Sequence, residues 1–219
     1  GVVRRLKSRN TWQARWEAHV AAPQAVLPPL HFFHAPNHSG PEVMTPPPGL
    51  QHNPTQRQRG GRRLGLETLH SFLDARALGY RGGISSPLSS PTACSRISAY
   101  LAWGCISMRE VVQSTRTALD ALPPQAGRHR AGLIGFISRL YWHCHFIQKL
   151  ESEPEIEWRN MHRGYDGLRE DGWNDAHFAA LTSARTGWPM VDACVVMLHQ
   201  TGWLNFRMRA MLVSFASYH

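Results

Sequence analysis

The chain has 219 residues, 42% of them hydrophobic and 18% charged, the make-up of an ordinary globular protein with one sizeable core. Its net charge of +9 favours a polyanionic partner, nucleic acid first. Its four cysteines, Cys94, Cys105, Cys144 and Cys194, form no CxxC pair, so their spacing gives no support to a zinc site or redox motif, and a disulfide framework is equally unsupported in a chain this large.

Reduced thiols in a cytoplasmic protein are therefore expected. No apolar run reaches membrane-spanning length, and no signal-peptide pattern opens the chain, so no membrane partner is expected.

Residues 1–20 are basic, and Trp12 and Trp16 stand four apart. This predicts a short amphipathic helix that tucks both indoles onto the body, in preference to a nucleic-acid arm. Nine of the fifteen prolines fall between Pro23 and Pro54, so residues 21–63 read as a Pro-rich linker or extended loop. Its basic end, Arg57, Arg59, Arg62 and Arg63, reads as solvated charge. From residue 64 the pattern is helical. Leu66, Leu69, Phe72 and Leu73 share one face. A Ser/Pro loop leads into "SRISAYLAWG", a helix entered at Ser95 and stopped near Gly104. A further helix is started by Ser107 and ended by Pro123. The longest, over 131–150, carries a stripe of Leu133, Ile137, Leu140, Tyr141, Cys144 and Ile147. Helices near 174–183, 189–200 and 204–217 follow. No segment alternates as a strand does, so the predicted fold class is all-α.

Three stretches could carry chemistry. In "CSRISAYLAWG", two serines and an arginine at a helix start make a phosphate cradle, or simply a cap with nothing bound. Arg139, Trp142, His143 and Phe146 share a helical face distinct from the apolar stripe. It is either a cationic surface for stacking on a base or a half-buried flank. His143, Cys144 and His145 diverge by about 100° per residue and cannot converge on one metal, so no metal site is expected. In "TGWPMVDACVVMLHQTGWLNFRMRAML", Pro189 and Asp192 suit a helix first turn, and Val191, Cys194, Val195 and Leu198 form its buried stripe. Gly202 ends that helix. The next helix buries Leu204, Met208, Met211 and Phe215, so Arg207 or Arg209 needs an anionic partner, either a ligand or Asp192.

Four motifs in order, "SRISAYL", "GCISMRE", "TGWPMVDA" and "GWLNFRMR", resemble the cryptochrome/photolyase family. The likeness is to its helical FAD-binding domain and covers residues 64–219. Residues 1–20 resemble the tail of the family's N-terminal α/β domain. The resemblance implies a partial, C-terminally truncated domain with FAD as cofactor. It implies that Tyr80, Ser95, Arg96, Ile97 and Ser98 hold the flavin phosphates and ribose, and that Trp203 and Arg209 pack near the ring with Arg207 beside them. It further implies that Arg139, Trp142, His143 and Phe146 meet damaged duplex DNA, with Trp142 stacking on a flipped pyrimidine dimer. Trp173 is the electron-transfer candidate. The implied activity is light-driven repair of pyrimidine dimers in the intact parent, a photolyase-type lyase. The sequence departs from the family pattern: Arg139 replaces a carboxylate, Phe206 an asparagine and Ala210 a methionine. Those changes leave open a cryptochrome-like photoreceptor without repair activity, or an inactive fragment.

Overall fold

The computed structural model describes residues 3–26, 28–29, 54–168 and 170–218. Most of the Pro-rich stretch, residues 30–53, lies outside the described residues. Among the described residues every regular element is helical. In order they are α1 (Trp12–Ala21), α2 (Arg62–Asp74), a 3-10 turn (Arg76–Gly79), the kinked α3 (Tyr80–Gly83), α4 (Ser90–Ala93), α5 (Ser98–Ala102), α6 (Met108–Asp120), α7 (Gly127–Ser152), α8 (Asp175–Thr182), α9 (Pro189–Thr201) and α10 (Phe206–Tyr218). Short 3-10 turns link α7 to α8. No described helix is long and apolar enough to cross a membrane.

The main core is made by α1, α2, α6 and α7. Leu69, Phe72 and Leu73 of α2 meet Val111 and Val112 of α6 and Leu133, Phe136 and Leu140 of α7. Burying each such side chain contributes roughly 1.5–3 kcal/mol. Trp12 and Trp16 are buried as the sequence predicts, their ring centres 5.0 and 5.4 Å from that of Tyr141 in edge-on packing. Helix α6 starts where a local signal says it must. The Ser107 hydroxyl accepts from the Glu110 amide, and the Glu110 carboxylate accepts from the Ser107 amide.

Three elements differ from the sequence reading. Helix α5 begins at Ser98 and not at Ser95, because Arg96 adopts φ +64°, which no right-handed helix can contain. The buried stripe of α7 is rotated: Phe136 and Gln148 face inward, whereas Ile147 is 46% exposed. Gln148 is 1% exposed because its amide is satisfied from the far end of the chain. It accepts from the Val3 amide at 2.7 Å and from Trp12 Nε1 at 3.3 Å, and donates to the Val3 carbonyl at 3.1 Å. On α9, Leu198 is 39% exposed while Val191, Cys194 and Val195 are buried.

Helices α9 and α10 enclose a second, smaller apolar cluster of Cys194, Leu204 and Met208, flanked by Met197, Met211 and Leu212. Pro189 opens α9, and Gly202, in the left-handed region at φ +64°, closes it.

Candidate functional site

One arginine shapes the first wall of the site. Arg76, on the 3-10 turn after α2, lies over the Phe72 ring, 5.4 Å from its centre. Its guanidinium donates to the carbonyls of Thr68 at 2.8 Å, Ser95 at 3.1 Å, Thr92 at 3.3 Å and Cys94, and to the Ser71 hydroxyl at 3.2 Å. This gathers residues 92–95 onto α2. The chain then turns at Arg96, whose left-handed backbone costs about 1–2 kcal/mol for a residue with a Cβ. Gln58 Nε2 donates to the Arg96 carbonyl at 2.8 Å, and the Tyr100 hydroxyl donates to the Arg59 carbonyl at 2.8 Å. The end of the expected linker is thus fastened beside this loop.

The second wall is the turn between α9 and α10. The Arg96 guanidinium stands 4.0 Å from the centre of the Trp203 ring, a cation–π contact. Asn205 Nδ2 donates to the carbonyls of Ile84 at 3.0 Å and Ser85 at 3.1 Å. Burial pushes the Cys94 thiol up, while the nearby charges of Arg96, Arg76 and Arg209 pull it down. Burial also lowers the pKa values of Arg96 and Arg76. The nearby charge of Arg96 lowers that of Arg76 further.

The structure brings Arg96 and Trp203 together, next to Ser95 in the chain. Ser95 and Arg96 are half-buried, Ser98 is exposed, and Ile97 is a core residue. Tyr80 is also buried, its ring 5.4 Å from Phe72 and 6.0 Å from Phe136, and burial pushes its hydroxyl up to about 12. Arg207 and Arg209 are both exposed, so the argument from burial that one of them needs an anionic partner, a ligand or Asp192, does not hold. Asp192 instead braces the loop before α9, accepting from Thr186 N at 2.9 Å, Thr186 Oγ1 at 2.7 Å and Gly187 N at 3.1 Å. Those bonds hold its carboxyl below the ordinary carboxylate value.

On α7, Trp142 is 44% and Phe146 58% exposed, with ring centres 5.8 Å apart, and Arg139 is exposed beside them. His143 turns inward, into a small groove of about 280 Å³ lined by Leu101, Ile106, Met108, Cys144 and Ile147. Burial lowers its pKa, and its Nδ1 has no partner. Trp173 belongs to a different group. Its indole donates to Asp175 Oδ1 at 2.9 Å and tilts over Phe178 with centres 5.0 Å apart. Among the described residues no three His, Cys, Asp or Glu side chains cluster to hold a metal ion.

Residues 136–219 match the family model described as the FAD-binding domain of DNA photolyase. The chain is a relative of the DNA photolyases and cryptochromes. It is 30% identical over 159 residues to the deoxyribodipyrimidine photo-lyase of Streptomyces griseus, covering 72% of this chain and 31% of that one. Its fold superposes on a class III photolyase from Agrobacterium tumefaciens with a TM-score of 0.61 at 28% identity, covering 71% of this chain and 30% of the other. It superposes on a Synechocystis cryptochrome with the same score at 22% identity, covering 73% and 32%. The chain therefore spans about a third of the length of these relatives.

FAD is the cofactor of this domain family, and the residues present fit it. Arg96 Nε, beside the Trp203 ring, is buried without a protein partner. A dinucleotide offers it a phosphate acceptor. Family motifs carry the expectation for Ser95, Arg96, Trp203 and Arg209, but no sequence signal points to Arg76 and Gln58. Neither lies in a motif, and both act on backbone carbonyls that no side-chain pattern reveals.

Proposed function

We propose that residues 64–219 belong to the flavin-holding unit of a photolyase-type protein that acts on damaged DNA. Residues 1–20 are read as the tail of an N-terminal α/β domain and residues 21–63 as the link between them. The observation that carries this reading is the stacking of Arg96, with its unpartnered Nε, on the Trp203 ring. The guanidinium and the Ser95 and Ser98 hydroxyls supply donors for a pyrophosphate, and the Trp203 indole supplies a flat apolar face. When bound, reduced FAD supplies on excitation the electron that splits a pyrimidine dimer. The chain's own part is to orient the cofactor and to meet DNA along α7. There Trp142 and Phe146 offer exposed rings to an unstacked base, and Arg139 offers charge to the backbone.

Arg139 also supports a second reading. It stands three residues before Trp142, where a carboxylate would accept hydrogen bonds from a dimer, and a guanidinium only donates. That favours a cryptochrome-like photoreceptor without repair activity. Both readings need the flavin, so the test is an absorption spectrum after adding FAD and desalting. Retained flavin bands support the flavin-holding role, and a flavin-free spectrum refutes it for this chain. Ultraviolet-damaged oligonucleotide then separates the two: light-dependent loss of dimers supports repair, and none supports the photoreceptor.

A further inference from the structure

The α9–α10 pair carries its own apolar cluster, separate from the main core. Its register against that core must therefore come from specific contacts across the seam. Two of these involve the turn between the helices: the Arg96–Trp203 stack and the Asn205 amide. Asn205 is 2% exposed and opens α10, its carbonyl accepting from the Arg209 amide at 3.0 Å. Both hydrogens of one NH₂ group cross the seam to consecutive carbonyls, Ile84 and Ser85. Those carbonyls follow Gly83, whose backbone is so close to Ala93 that an added Cβ would sit 2.6 Å from the Ala93 Cβ. The acceptor turn is thus tightly packed and cannot follow a displaced α10.

We infer that Asn205 is the positioning residue of the flavin site: its two-pronged amide latch sets Trp203 against the Cys94–Ser98 loop. The inference rests on the flavin reading for its consequence, though the latch is a property of the free chain. Few side chains can serve. Aspartate has the same shape but presents acceptors to two carbonyls, leucine presents nothing, and histidine can donate to only one of them. Cutting the latch frees α10 to turn about Gly202, and the Arg96–Trp203 stack opens.

The test uses the chain labelled with 5-fluorotryptophan and read by fluorine NMR, with the Trp203 line assigned by Trp203→Phe. In the wild type, Arg96→Leu shifts the Trp203 line. In Asn205→Asp that line is expected already at the Arg96→Leu position, while the lines of Trp12 and Trp16 in the main core stay in place. Asn205→His is expected between the two. FAD affinity, measured by flavin fluorescence, is expected to fall about tenfold in Asn205→Asp and less in Asn205→His. A Trp203 line at its wild-type position in Asn205→Asp overturns the inference. Should that variant unfold, with all eight tryptophan lines collapsing together, Asn205→His decides: an unmoved Trp203 line overturns the inference, and an intermediate one supports it. Should the wild type bind no FAD, the flavin reading fails while the NMR arm still tests the latch.

Discussion

Two glycines three residues apart on α7 should respond to the same substitution with opposite signs. At Gly132 an added Cβ would lie 1.9 Å from the Ala77 carbonyl oxygen and 2.9 Å from its carbon. The oxygen belongs to the backbone of the 3-10 turn, so the gap must open to at least 3.0 Å by moving one element from the other. At Gly135 the added Cβ would meet Arg81 Cγ at 3.6 Å and the Tyr80 ring at 3.7 Å, ordinary contacts. Replacing glycine by alanine within a helix is worth about 1 kcal/mol. Overpacking costs about 1–3 kcal/mol or more, and against an unyielding backbone atom it takes the upper end. Gly132→Ala should therefore lose about 2 kcal/mol net, and Gly135→Ala gain about 0.5–1 kcal/mol. For a chain this long each kcal/mol moves the melting temperature by about 2–4 °C. Differential scanning calorimetry should show Gly132→Ala melting about 4–8 °C lower and Gly135→Ala melting higher. Since the displaced turn carries Arg76, Gly132→Ala should also weaken FAD binding. A Gly132→Ala variant as stable as the wild type, or two variants shifting together, would refute the packing argument.

Two further outcomes are expected. Glu110 pairs with Arg62 at 2.6 Å, and that hydrogen bond holds its carboxyl below its ordinary 4.5. A lowered folded pKa contributes stability present above 4.5 and lost as pH falls through the folded value, so Glu110→Gln should flatten the acid limb of stability below about pH 4.5. Urea midpoints across that range check this, and an unchanged acid slope contradicts it. Trp142→Ala should weaken binding to a single-stranded oligothymidine by about 1–3 kcal/mol while stability changes by no more than about 0.5 kcal/mol. Equal affinity would remove α7 from the proposed DNA surface.

The parts of the fold legible in the sequence are those fixed by neighbours along the chain. Ser107 and Glu110 are three residues apart and define the start of α6 on their own. Pro189 and Gly202 bracket α9 in the same way. What was not legible depends on partners far away. Gln148 reads as a surface residue, yet it is buried because Val3, 145 residues distant, completes its hydrogen bonds. Its neighbour Ile147 faces outward. Arg96 carries no glycine-like signal for its left-handed backbone, so the sequence points to a start of α5 three residues early. The Arg96–Trp203 contact joins two motifs that family likeness had assigned to one cofactor, although no periodicity connects them.

The Arg76 guanidinium binds its loop through main-chain oxygens, from Thr92, Cys94 and Ser95, and through none of that loop's side chains. A main-chain carbonyl is present whatever residue bears it. The loop's path is therefore written in one place and its chemistry in another: side chains at 94 and 95 can be exchanged to retune what the site grips, and the path endures as long as residue 76 stays an arginine.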